Sequence, residues 1–326
     1  MPGSVTRKGG FLLYVFERHL IWVLLAFLAL FGLTIPGFTN PQNLLNVLWA
    51  AAPLGCMVLG LFLVLLIKEV DLSLESTFAF GPTVAIVAMQ SWLPSVIGPV
   101  TAAILTPLIG MAVGAAAGLF AVQLRVNAFL VTLGTLLLMR GVVIYLIPEG
   151  VYYLPDEYVF LGEQRLWGIP IAILVWILLY LVAYAMIERH RIGKEIYAIG
   201  NNEEAAFVAG VRVRRTKVLC FAAAGFAAAL GGMLEVGRLS SVVADLGQGS
   251  ILMVFAGTIL GGTSLSGGVG RLSGVFGAVI VIAVIENLMN LIGIEPSIRQ
   301  MVFGLVLLVA IWLASLQDRI ALRSAR

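Results

Sequence analysis

Long uncharged apolar runs recur along the whole chain, and nothing constrains its fold more. A helix needs about 20 mainly apolar residues to cross the hydrocarbon core of a bilayer. Runs of that order fall near 20–35, 44–67, 77–90, 96–120, 128–147, 169–187, 218–236, 251–266, 275–294 and 299–316. In lipid every backbone N–H and C=O must be satisfied within the protein, so such runs become helices. The expected fold class is therefore an all-α polytopic membrane protein with about ten transmembrane helices. The 77–90 run is short enough to be re-entrant or broken. With 61% hydrophobic and 11% charged residues, too little charge remains to solvate a globular surface of 326 residues. No separate soluble domain fits, and 1–326 reads as a single transmembrane domain.

The charges that exist are sorted by loop. The N-terminal tail (Arg7, Lys8, Arg18), the 188–217 loop (Arg189, Arg191, Lys194, Arg212, Arg214, Arg215, Lys217), Arg271 and the C-terminal tail (Arg319, Arg323, Arg326) are basic. The 148–168 loop is acidic, with Glu149, Asp156, Glu157 and Glu163 against Arg165. Ten spans place every basic segment on one side, which the positive-inside rule makes cytoplasmic together with both termini. The 148–168 loop is then external. The net charge of +3 is thus a topology signal and gives no reason to expect nucleic acid. The first run ends in Thr34-Ile-Pro-Gly-Phe38 with no small-x-small cleavage site, and is read as an uncleaved anchor. Cys56 and Cys220 lie inside apolar runs and read as packing residues.

Several chemistries are missing. The chain has only two histidines, His19 and His190, both beside arginine at membrane ends, and it lacks His-Glu-x-x-His, Cys-x-x-Cys and Gly-x-Ser-x-Gly. Gly193-Lys194-Glu195 has neither the preceding glycine nor the hydroxyl residue of a Walker A loop. No nucleophile–base pair is visible, so an enzyme is not expected, and neither is a cofactor held by this chain.

One stretch of the 188–217 loop is built differently from its surroundings. Asn202 can cap a short helix, Glu203 and Glu204 sit in its first turn, and Gly210 can close it. Ala205, Ala206, Val208 and Ala209 offer a small apolar surface, with Phe207 as a larger knob. A capped helix held outside the bilayer is expected to be presented to a partner.

Within the spans, Gly110, Gly114 and Gly118 form a stripe at helical spacing, repeated by Gly257–Gly261 and Gly270–Gly274; such stripes serve close helix packing or a subunit interface. Glu286, Asn287 and Asn290 interrupt the ninth run, and Arg140 lies deep in the fifth. An intramembrane charge pairs or lines a pathway, so Glu286 and Arg140 are read either as a helix-joining pair or as part of a hydrophilic path that Asn287 and Asn290 also line. The break Lys68-Glu-Val-Asp-Leu-Ser-Leu-Glu-Ser76 is either a solvated turn or an inserted segment whose Asp71 and Ser73 line that path. The run Gly261–Gly270 suggests a tight turn.

Phe129-Leu-Val-Thr-Leu-Gly-Thr135 with Arg140-Gly141, Tyr197-Ala-Ile-Gly200, Asn202-Glu-Glu-Ala-Ala206 with Ala209-Gly210, Gly261-Gly-Thr-Ser-Leu-Ser-Gly-Gly268 and Asn290-Leu-Ile-Gly293 occur in that order. Together, over about 44–316, they resemble the permease subunits of ribose-type ABC sugar importers. The resemblance implies the ABC importer permease fold and a bacterial inner-membrane location. It also implies a cytoplasmic ATPase partner that consumes the ATP, a periplasmic or tethered substrate-binding protein, and a second permease in a homo- or heterodimer. Residues 202–210 match the family's coupling segment, and ATP-driven rocking of the permease halves would move a simple sugar, such as a pentose, hexose or related polyol. The chain departs from the family where a glycine pair usually precedes Ile-Asp-Leu-Ser: here Lys68, Glu69 and Val70 precede Asp71-Leu-Ser73. Glu75 replaces a glycine, Ser250-Ile-Leu-Met253 stands where an acidic residue is frequent, and Glu286 where asparagine is common. The competing expectation is a secondary transporter or channel using Glu286 and Arg140 for ion coupling; a third is a membrane scaffold.

Overall fold

The computed structural model of the protein describes residues 24–26 and 28–324, so most of the first expected span (20–35) and both tails lie at or beyond the edge of the described residues. Residues 24–26 and 28–32 are helical. There follow α1 (Pro41–Leu66), α2 (Leu74–Val87), α3 (Pro99–Leu124), α4 (Ala128–Leu146), α5 (Asp156–Glu163), α6 (Ile171–Tyr184), α7 (Arg191–Asn201), α8 (Glu203–Val208), α9 (Val213–Leu239), α10 (Ser250–Leu260), α11 (Leu272–Leu291) and α12 (Pro296–Ser324). Four two-residue strands, β1 (Val151–Tyr152), β2 (Arg165–Leu166), β3 (Ile169–Pro170) and β4 (Ser241–Val242), form the pairs β1–β4 and β2–β3. Among the described residues, α1, α3, α4, α6 with its widened last turn to Arg189, α9 and α11 are long and apolar enough to cross a membrane; α10 and the Pro296–Trp312 part of α12 are shorter apolar helices. The chain is all-α and polytopic.

The short third span is α2 prolonged by a π-turn over Ala88–Trp92, so it is one helical segment rather than a re-entrant one. It begins earlier than its apolar run because Glu75, Ser76 and Thr77 are buried in protein instead of facing lipid. The expected 251–266 span ends at Leu260, where Gly261–Gly270 takes over with positive φ at Gly262, Gly267 and Gly268.

The long α9 is the centre of the molecule, rich in alanine and glycine, with α1, α2, α3 and α5 packed around it. Lipid removes the hydrophobic force between helices, so close backbone approach has to supply the packing. A Cβ on Gly110 or Gly114 would overlap Gly225 or the Phe221 carbonyl of α9, and one on Gly232 would overlap the Phe78 carbonyl of α2. Gly261 and Gly274 meet across the α10–α11 corner. All three glycine stripes are spent inside the chain. On the far side, Ile104, Leu108, Leu137, Leu138, Leu178 and Leu181 turn outward and exposed, as lipid-facing residues do.

The two ends of the bundle carry different loops. At one end α7 sits on the α1 terminus and the Gly261–Gly270 turn: the Gly268 N–H donates to the Leu66 carbonyl (2.9 Å) and the Tyr197 hydroxyl to the Gly270 carbonyl (2.9 Å). At the other end β1 pairs with β4, Val151 opposite Val242, and α5 packs on α9 through Gly162 and Gly237. The acidic 148–168 loop is thus more ordered than a loop reading suggests. The basic 188–217 loop gathers at the end opposite to it.

Candidate coupling and translocation sites

The 188–217 loop folds as two helices joined at a single extended residue. His190 opens α7 by accepting from the Ile192 N–H (3.2 Å). Spacings of three, four and seven residues then put Gly193, Ile196, Ile199 and Gly200 on one inward face. Asn202 ends α7 and opens α8, its side chain accepting from the Ala205 N–H (2.9 Å). At the far end the Gly210 N–H bonds to the Phe207 carbonyl and the Val211 N–H to the Ala206 carbonyl, with Gly210 at φ +83°. That is a Schellman closure, which favours glycine for its left-handed φ. Phe207 and Val208 are 70% and 81% exposed, and Ala205 and Ala209 also face out. Ala206 does not: it is 4% exposed and faces the core, because a six-residue helix lying on the bundle must bury one face. The apolar surface of α8 is therefore led by Phe207, and Ala206 is its backing.

Glu203 and Glu204 differ as well. Glu203 Oε2 accepts from Lys217 Nζ at 2.7 Å, and the same ammonium reaches Glu69 Oε1 at 2.7 Å. Glu204 makes no ion pair among the described residues. An open groove of about 1650 Å³ runs beside α8, lined by Phe207, by cations such as Arg125, Arg212 and Arg215, and by the carboxylates Glu69, Glu203 and Glu204. Lys217 enters the loop charge as a topology marker and lies just before the expected 218–236 span; the helix starts earlier, at Val213, which puts Lys217 one turn inside α9, where a buried lysine needs a partner.

The expected path residues fall into three groups. Asp71 and Ser73 are buried in the 67–73 connector, whose 71–73 end is tucked into protein while Lys68 is exposed and Glu69 and Val70 are half-buried, so the break is part solvated turn and part inserted segment. Asp71 Oδ1 accepts from the Ser73 N–H (2.9 Å) and hydroxyl (2.6 Å), and burial pushes the carboxyl up to about 6 against those bonds. The Leu72 N–H donates to Thr132 of α4 (3.1 Å). These two residues close the start of α2 and line no open space.

Arg140 forms no pair with Glu286. Its guanidinium donates to the Ala244 and Leu246 carbonyls (3.0 Å each) and lies 3.6 Å from Glu75, which also accepts from the Ile251 N–H (3.2 Å) at the start of α10. Arg140 and Glu75 together hold the 240–250 segment, because that irregular backbone carries carbonyls and N–H groups no helix satisfies. On α11, Asn287 exchanges two 2.9 Å amide bonds with Asn43 of α1, and Asn290 accepts from Arg299 of α12. Glu286 alone accepts no hydrogen bond among the described residues; it is half-buried, with Arg299, Glu235 and Arg238 as its charged neighbours. The Glu235–Arg238 pair escaped sequence reading, although two charges three apart near the end of a span were its signal.

Comparison with known proteins follows the same lines. Residues 43–311 match the family model described as branched-chain amino acid transport system / permease component. The ribose import permease protein of Escherichia coli K12 is 32% identical over 305 residues, 91% of this chain and 93% of that protein. The ribose import permease protein of Bacillus subtilis 168 is 34% identical over 88% of this chain and 91% of its own length. An L-arabinose ABC transporter permease protein of Azospirillum brasilense is 30% identical over 93% and 89%. No solved structure matches. With the match running through nearly every helix, α8 and the Gly261–Gly270 turn included, the chain belongs to this family of transport-system permease components.

Proposed function

We propose that this chain is the permease subunit of an ATP-driven importer that moves a simple sugar across a bacterial inner membrane. The carrying observation is α8: a doubly capped helix outside the bundle with Phe207 and Val208 exposed, in a chain whose sequence has no loop for nucleotide phosphates. On this reading α8 receives a cytoplasmic ATPase, which binds and spends the ATP. The basic end of the bundle and both termini face the cytoplasm, and the acidic β1–α5 end faces a substrate-binding protein. A second permease, the same chain or a related one, completes the path, and the outward apolar residues of α3, α4 and α6 face lipid or that second copy. Relatives named for ribose import and for L-arabinose transport support a pentose or similar sugar as cargo. Glu286, with Arg238 and Arg299 beside it, is the group on α11 left free to meet sugar hydroxyls. Arg140, occupied by Glu75 and two carbonyls, is on this reading a clasp on the 240–250 segment.

The test is purification from the native host followed by uptake of radiolabelled pentoses and hexoses into proteoliposomes. An ATPase is expected to co-purify, and uptake to require ATP and the binding protein. Phe207→Asp is expected to release the ATPase while the permease stays folded. Uptake driven by a proton gradient without ATP would overturn the reading.

A further inference from the structure

The connector that holds Lys68 and Glu69 has a structural cost. Lys68 holds φ +62°, a left-handed conformation that strains a residue with a Cβ. Glu69 is not idle there. Its carboxylate meets Lys217 Nζ at 2.7 Å, and that nitrogen meets Glu203 of α8 at the same distance. Both bonds are charge-assisted, and with Lys217 7% exposed and the Glu69 and Glu203 side chains 26% and 57% exposed, the Glu69 arm is the better shielded from solvent. Two residues after Glu69, Asp71 and Ser73 close the start of α2, and Leu72 is bonded to Thr132 of α4. Among the described residues, Glu203 is the one α8 side chain that makes an ion pair with the body of the protein.

We propose that Lys217 is a positioning residue that ties α8 to the α1–α2 connector, so that a push or pull on α8 reaches residues 69–73 through the two ion pairs. Force from α8 then arrives at the base of α9, at the start of α2 and, through Thr132, at α4. Without the ammonium, Glu69 and Glu203 are left as two like charges sharing one small space, and the contact opens. The proposal rests on the reading of α8 as the ATPase-facing helix.

Glu69→Gln weakens one arm and leaves α8 itself untouched. In proteoliposomes holding the permease, ATPase and binding protein, with ribose and arabinose as probes, Glu69→Gln is expected to keep ATP hydrolysis within about twofold of wild type while sugar imported per ATP falls about tenfold. Lys217→Arg keeps both carboxylates bonded and is expected to retain the wild-type ratio. An unchanged ratio in Glu69→Gln, or parallel loss of import and hydrolysis with release of the ATPase, overturns the proposal. A second measurement needs neither partner nor sugar: amide hydrogen exchange over residues 203–211 of the purified permease. It is expected to speed up about tenfold in Glu69→Gln, and unchanged exchange overturns the tie. If no ATPase is found, the importer reading falls while the exchange experiment still decides whether the tie exists.

Discussion

At the scale of single residues, glycine and asparagine carry much of the design. Gly114 lies where a Cβ would overlap the Phe221 carbonyl, which is backbone and cannot swing away; Gly304 of α12 has no described atom within 4 Å of that position. Gly114→Ala is therefore expected to cost about 1–3 kcal/mol by overpacking, whereas Gly304→Ala is expected to be neutral or to stabilise by up to about 1 kcal/mol. Thermal unfolding of the two variants in one detergent checks this, and equal midpoints would contradict it. Asn287 shows the limit of residue-level reading. Its amide is spent on Asn43, so a polar residue in a span is here a clip between helices.

At the scale of elements, the telling one is the irregular 240–250 segment between α9 and α10. It exists because α9 ends at Ser240 in a left-handed turn and α10 starts late at Ser250, leaving a stretch with no helix ladder of its own. β1 pairs with its Ser241–Val242 part, and Arg140 and Glu75 supply partners for the Ala244 and Leu246 carbonyls and the Ile251 N–H. Arg140→Met leaves two carbonyls and the Glu75 carboxylate short of a donor, and is expected to cost on the order of 3 kcal/mol. Amide exchange at 241–251 is the readout: selective loss of protection there is expected, while uniform change across all helices would mean that Arg140 does something else.

At the scale of the whole molecule, the chain is a bundle with a basic end and an acidic end. Two strongly exposed positions mark them, Val208 on α8 and Tyr153, 98% exposed, at the acidic end. Cys56 and Cys220 are buried, so the natural thiols give a quiet background for labelling. A membrane-impermeant maleimide is expected to label Tyr153→Cys in cells with a permeable outer layer and Val208→Cys only after the inner membrane is opened. Labelling of both from the same side would overturn the proposed orientation.

The six expected spans that coincide with α1, α3, α4, α6, α9 and α11, the capped α8 and the asymmetry of charge were legible in the sequence, because each depends on local composition: apolar length, a side-chain cap, a glycine at positive φ. The partner of each buried charge was not. Arg140 and Glu286 look like a pair in one dimension, yet Arg140 bonds Glu75 and the 240–250 carbonyls, and Glu286 sits among Glu235, Arg238 and Arg299. Lys217 looks like one of many loop cations, yet it joins Glu69 to Glu203 across 148 and 14 residues of chain. The face of α8 that is buried was likewise settled only by docking it on the bundle. Sequence by itself determined which segments leave water and which stay in it, since transfer is a property of each segment. Tertiary structure alone decided which polar group answers which, since a buried charge is satisfied by whatever lies within about 3 Å in space, however far away in sequence.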